Sequence, residues 1–369
     1  MRRNALTRER ARPAWVRQWP HAWWLAVATV CFGAFMGQLD ASIVTLTYRP
    51  LSTEFGASLA AVQWVSLAYL LALATLLIPV GRLADAHGRK LMYLYGFVIF
   101  TVASAACGLA PRLSALIAFR IVQGAGAALL QANSVALVTT SAPPGRARAA
   151  LGVQGAAQAI GLALGPTVGG LLVSTLGWRW VFGINVPVGV VAVAAAVYLL
   201  PRTSQRTPIT GWDCSGLVLL ATATTTVLLV ISDASGLTLP RWGSIMLLVL
   251  AAASTAGFLV RERRAATPLL DLSLLRMPTV STGLLAALCC YLVLFWHAPA
   301  RRAPNRPAHP HHRRGESPPH HPAHTLIPSP HRWAYGARMH QAPFSPAAVV
   351  HPQRGDLGGR LPDHEKEGR

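Results

Sequence analysis

The sequence predicts an all-α protein that crosses a membrane many times. Three observations carry this. Of the 369 residues 53% are hydrophobic and only 12% are charged, whereas a soluble domain carries about 25% charged residues. The apolar residues gather into nine segments, each near the roughly 20 residues that a helix needs to cross a bilayer. The connections between those segments alternate between basic and nearly uncharged, as short loops of membrane proteins do.

In order, the candidate spans are 22–44, 60–80, 91–109, 115–139, 151–174, 181–200, 214–232, 243–260 and 279–297. The tail before the first holds Arg2, Arg3, Arg8, Arg10, Arg12 and Arg17, which places the N-terminus in the cytoplasm. Strict alternation then puts Arg82, Arg89 and Lys90 on the same side, followed by Arg146 with Arg148, Arg202 with Arg206, and Arg261, Arg263 and Arg264. The opposite connections carry only Arg49, Arg112, Arg179 and Arg241. The net charge of +20 therefore reads as membrane topology, and no nucleic acid partner is expected. The apolar run 22–44 is too long for the core of a signal peptide and is the first span. Cys31, Cys107, Cys214, Cys289 and Cys290 lie in or beside apolar segments without metal spacing, as small buried residues do.

After residue 297 the chain changes character. Residues 298–369 are rich in Pro, Arg and His, with ten of the 13 histidines beyond residue 300. No stretch there can span a bilayer or form a core, so a disordered tail is expected. The histidines show no fixed ligand spacing, and no metal site is expected. GC-rich DNA read out of frame yields this same composition. Sequencing across codons 285–310 tests whether residues 298–369 are such a product.

Within the spans, the stretch Gly152–Gly170 holds six glycines and Pro166 and no charged residue. In water each interior glycine would cost about 1 kcal/mol of helix stability. In lipid an unpaired backbone group costs more than that, so the segment stays helical and its glycines let a neighbouring helix approach. Gly152, Gly161, Gly165 and Gly169 fall close to one helical face, a seam for another helix with Pro166 as a bend.

Ionisable groups inside spans are expensive and default to functional hypotheses. Asp40 lies in the outer half of the first span. Arg120 lies about five residues into the fourth, with Gln123, Gln131 and Asn133 at near-helical spacing. Each has a plainer reading: Asp40 as an acid at the membrane edge, Arg120 as a side chain reaching to the interface from a span end. The segment Gly81–Lys90 reads as a tight connection in which Asp85 bonds a helix N-terminus or pairs with Arg89. The plainer reading is a solvated charged loop.

These residues bring in a family. Gly81, Leu83, Asp85, Gly88, Arg89 and Lys90 resemble the loop 2–3 signature of the major facilitator superfamily. Leu116, Arg120, Gln123, Gly124 and Gly126 resemble its span 4 signature. Gly152, Gly161, Gly165, Pro166, Gly169 and Gly170 are similar to its antiporter signature in span 5. Leu39-Asp40, and Trp178-Arg179-Trp180 with Phe182, Asn185 and Pro187, resemble the branch of 14-span drug:proton antiporters. The resemblance covers residues 20–297.

It implies a fold of two six-helix bundles with two spans between them, working by alternating access. This chain would then hold a basic tail (1–21), the N-terminal six-helix bundle (22–200), a linker with the two inserted spans (201–264) and the start of a second bundle (265–297). About three helices thus follow the first bundle, and the second bundle would be truncated. The resemblance further implies a multi-pass plasma-membrane transporter that exports small lipophilic, often cationic compounds in exchange for protons. It would be no enzyme, and it would need no cofactor beyond the proton gradient. Asp40, Arg120 and Gln123 would line the proton and substrate pathway. Gly81, Asp85, Gly88, Arg89 and Lys90 would form a cytoplasmic gate, and the Gly165-Pro166 helix would seal the bundle interface. With the second bundle incomplete, its glycine seam would be left half unfilled. The alternative is a truncated, non-transporting membrane protein. One departure from the branch pattern stands out. Thr45 and Arg49 precede Pro50 where other residues are usual, which leaves the end of the first span undefined.

Overall fold

The computed structural model describes residues 9–203, 206, 213–234, 240–265 and 276–296. The tail 298–369 lies outside them, as do the linker residues 207–212. Every described element is helical. A short α1 (Ala14–Gln18) precedes α2 (Ala22–Ile43), which continues through a 3-10 turn, Val44–Thr47, into α3 (Tyr48–Phe55). Then follow α4 (Leu59–His87), α5 (Arg89–Gly108), α6 (Leu113–Ser141), α7 (Ala147–Thr175), α8 (Arg179–Gly183), α9 (Asn185–Leu199), α10 (Cys214–Ala234), α11 (Arg241–Arg264) and α12 (Pro278–Trp296). Among the described residues, seven helical stretches are long and apolar enough to cross a membrane.

α2 and α4–α9 pack into one bundle, with α5 and α4 against α6, α2 against α7 and α9 against α5. α10 and α11 form a hairpin whose α10 touches α4. Asp213 fastens that hairpin by accepting from the Gly216 amide at 2.9 Å and from Arg261 on α11 at 3.2 Å.

Lipid offers no hydrophobic contrast between helices, so close approach must come from small residues. α6 supplies them. A Cβ on Gly124 would lie 2.6 Å from the Tyr69 carbonyl of α4, and one on Gly126 would lie 2.6 Å from the Phe100 amide of α5. Around these contacts Tyr93, Phe97 and Phe100 form one buried cluster, and Ile43, Val65, Leu116, Trp178 and Phe182 form another.

The glycine seam of α7 packs against α2, inside the same bundle. A Cβ on Gly161 would lie 2.5 Å from the Phe35 carbonyl, one on Gly165 would run into Ser42, and one on Gly169 would lie 2.8 Å from Leu46. Ser42 adds a hydrogen bond from its hydroxyl to the Leu162 carbonyl at 3.0 Å. This corrects the expectation of a half-empty seam, because the first span fills it. It also removes Gly152 from the seam, since its Cβ position is open, as is that of Gly170 from the antiporter signature. The reason is phase: Gly161, Gly165 and Gly169 repeat every four residues, and the other two fall off that line. α7 runs on through Pro166 without a break.

Two further segments differ from the sequence reading. The stretch 81–90 is helical up to His87, and only Gly88 breaks it, at φ +113°. That backbone conformation favours glycine. The first span does not end near residue 44, because the 3-10 turn leads on into α3 past Arg49 and Pro50.

Candidate functional site

The buried polar groups of the bundle converge on Asp40. α2 carries it near its last turn, and its side chain is fully buried. From the second turn of α6, Arg120 Nη1 donates to Asp40 Oδ2 at 2.7 Å, and the same nitrogen reaches Gln123 Oε1 at 2.7 Å. Gln123 Nε2 donates to Asp40 Oδ1 at 3.0 Å, and Asn185 Nδ2 donates to that oxygen at 2.8 Å. Ser104 Oγ on α5 accepts from both amides, at 2.6 and 3.1 Å. Arg120 Nε donates to the Val65 carbonyl at 3.1 Å, and its guanidinium sits 4.1 Å from the Tyr69 ring centre.

The chemistry follows from these partners. An ionised carboxylate only accepts hydrogen bonds, and here it meets three donors, one of them a cation. Separately, either charge in this interior would be costly; together they neutralise each other. The cluster therefore holds one cation against one carboxylate, with two amides donating to the same group.

Neither plainer reading survives this geometry. Asp40 is no edge acid, and Arg120 reaches inward to Asp40, not outward to an interface. Asn185 joins the same cluster although it was noted only as part of the branch pattern. Ser104 and Tyr69 were missed, because single small or aromatic residues in apolar helices carry no signal of their own. Gln131 stands apart, on the wall of a nearby cavity.

That cavity, about 170 Å³, lies among α2, α4 and α6. Gly37, Gln38, Ala41, Tyr69, Gln131 and Ser134 are among its walls. Gln154 of α7, buried, donates to Ser134 at 3.0 Å behind it.

The branch residues divide by position. Glu54 of α3 accepts from the Trp178 indole and pairs with Arg179 at 2.7 Å. Phe55 and Phe182 stand edge-on to Trp178. This latch ties α3 to α8 and accounts for Trp178 and Arg179. Trp180 faces outward, and Pro187 sits in the first turn of α9, where its missing N–H costs little.

At the α4–α5 end, Asp85 and Arg89 form a half-exposed pair at 2.9 Å. Lys90 does something different. Its buried ammonium donates to three carbonyls, Arg10 at 2.9 Å, Val197 at 2.9 Å and Leu200 at 2.7 Å. Glu9 completes this knot by accepting from the Thr203 amide at 2.7 Å. Lys90 thus staples the start of α5 to the end of α9 and to the N-terminal segment. Replacing it by alanine is expected to cost about 2 kcal/mol, as for a hydrogen-bonded charge whose partners stay buried. Arg89→Ala is expected to cost under about 1 kcal/mol, as for a solvated pair. Thermal unfolding in detergent compares the two, and equal losses would contradict this division.

Comparison with known proteins adds the following. A family model described as Major Facilitator Superfamily matches residues 30–307. The tetracenomycin C resistance and export protein of Streptomyces glaucescens is 39% identical over 266 residues, which cover 70% of this chain and 48% of that protein. A riboflavin transporter of Clostridioides difficile is 31% identical over 268 residues, 73% of this chain and 58% of that protein. The chain thus spans about half the length of the curated relatives it matches. A crystal structure of a peptide transporter in complex with sulfate superposes with a TM-score of 0.50 at 17% identity, over 71% of this chain and 56% of the other. That likeness concerns the fold.

Proposed function

The chain belongs to the major facilitator superfamily, and from that premise we propose that it acts in proton-coupled export of small hydrophobic or cationic compounds by alternating access. The observation that carries this reading is the buried Asp40–Arg120 pair, with Gln123 and Asn185 donating to the same carboxylate. A membrane interior holds such a pair at a cost, and its natural use is to exchange a proton for a positive charge. On this reading Asp40 takes the proton, and Arg120 is the cation that its neutralisation releases. Gln123 and Asn185 keep the carboxylate oriented in both states. Asp85 and Arg89 belong, with Gly81, to the gate at the α4–α5 end, and Gly88 allows the turn between the two helices. The contact of Gly161, Gly165 and Gly169 with α2 keeps ions from leaking past the bundle. The resemblance to 14-span drug:proton antiporters supports export over import, as do relatives named for resistance and export.

Energised everted vesicles containing the chain test this. Ethidium uptake driven by a proton gradient is expected, with collapse on adding a protonophore. Asp40→Asn is expected to abolish gradient-driven uptake, because an amide cannot carry the proton. Uptake that persists in Asp40→Asn would remove Asp40 from the coupling. Absence of uptake in the unaltered chain would favour a non-transporting protein.

A further inference from the structure

The buried cluster and the cavity beside it share a wall, and that wall is Tyr69. The residue lines the cavity of about 170 Å³, while its ring carries the Arg120 guanidinium at 4.1 Å. One turn earlier on α4, the Val65 carbonyl accepts from Arg120 Nε at 3.1 Å. α2 repeats the pattern, with Gln38 and Ala41 on the cavity and Asp40 between them on the cluster. Gly124 makes the shared wall possible, since any side chain there would push the Tyr69 backbone away.

We propose that Tyr69 is the positioning residue through which a compound in this cavity acts on the Asp40–Arg120 pair. The proposal rests on the antiport reading above. The residues lining the cavity carry no charge: they offer aliphatic surface, one aromatic ring, the amides of Gln38 and Gln131 and the Ser134 hydroxyl. Apolar cavities of roughly 150 Å³ hold a benzene ring. The chemistry therefore suits a flat aromatic portion of a larger compound, placed against Tyr69 and hydrogen-bonded at its edge. Such a ring shifts the surface on which Arg120 rests, and Arg120 is the cation paired with Asp40. The titratable groups that face Asp40 from the surrounding helices are Arg120, Tyr69 and Cys107. Of these, only Tyr69 also borders the cavity.

The test is equilibrium binding of ethidium, a planar aromatic cation, to the purified full chain in lipid nanodiscs, followed by fluorescence anisotropy across mildly acid to mildly alkaline pH. In the unaltered chain affinity is expected to fall about tenfold on the acid side, a common size for coupling between sites. Tyr69→Phe keeps the ring and is expected to keep that slope. Tyr69→Leu is expected to bind with a flat profile. A Leu variant that retains the slope overturns the relay while leaving the antiport reading intact. A flat profile in the unaltered chain overturns both. Gly37→Leu supplies an independent check should Tyr69→Leu fail to fold, because Gly37 lines the cavity and its Cβ position is open. It is expected to fill the space and abolish binding. Unchanged binding would place the compound elsewhere and overturn the relay.

Discussion

Replacing Arg120 by alanine is expected to destabilise the bundle by about 3–5 kcal/mol and to abolish proton-driven transport. The magnitude is that of breaking a buried ion pair by removing one partner, which leaves the other charge without compensation. Here the orphan is Asp40, whose side chain is fully buried and keeps only the Gln123 and Asn185 amides as donors. Removing both charges should behave otherwise. The double variant Asp40→Asn with Arg120→Ala loses the coupling chemistry but buries no lone charge, so it is expected to regain most of the lost stability without regaining transport. Thermal unfolding in detergent and vesicle uptake, measured on both variants, separate stability from coupling. An Arg120→Ala protein that melts with the unaltered chain would show that the pair contributes nothing to the fold. One that transports normally would remove Arg120 from the mechanism.

Glycines of one helix are expected to respond with opposite signs. Gly161→Val places a branched side chain where the Phe35 carbonyl lies 2.5 Å from a Cβ. Overpacking ordinarily costs about 1–3 kcal/mol when side chains can yield, and backbone cannot, so a loss at or above the top of that range is expected. Gly152→Ala meets open space in the same helix. It is expected to stabilise by up to about 1 kcal/mol, the ordinary preference of a helix for alanine over glycine. Comparing unfolding midpoints of the two variants checks this directly. Equal effects would mean that α7 does not pack on α2 through this face.

Much of the architecture was legible because it depends on sums over short windows. Hydropathy over about 20 residues locates a span whatever it packs against, and the Arg-rich connections follow from the same local arithmetic. Asp40, Arg120 and Gln123 could be singled out one at a time, because an ionisable or amide group in an apolar helix stands out against its neighbours. Their meeting could not be read. Asp40 and Arg120 lie 80 residues apart in the chain, and Asn185 lies 145 from Asp40. Ser104 and Tyr69 had no local mark at all.

The segment 81–90 shows the converse case. Gly81, Asp85, Gly88, Arg89 and Lys90 read as one motif, yet they have separate tasks in space. Asp85 and Arg89 pair within one turn, Gly88 supplies a positive φ, and Lys90 turns away to the end of α9. Adjacent helical residues point about 100° apart, so Arg89 can meet solvent while Lys90 is buried.

By itself the sequence determined that this protein is a helical membrane bundle, roughly where its long apolar helices fall, and which charged residues are too costly to be incidental. Those are properties of composition and period, and they survive without knowledge of any contact. Only the tertiary structure decided which groups become partners. It set Asp40 against Arg120, with Tyr69 as the wall to the cavity, and it gave the seam of Gly161, Gly165 and Gly169 to α2. The physical reason is common to both. A buried charge or a missing side chain states a need that the chain carries locally, but what meets that need is a neighbour brought close only by folding.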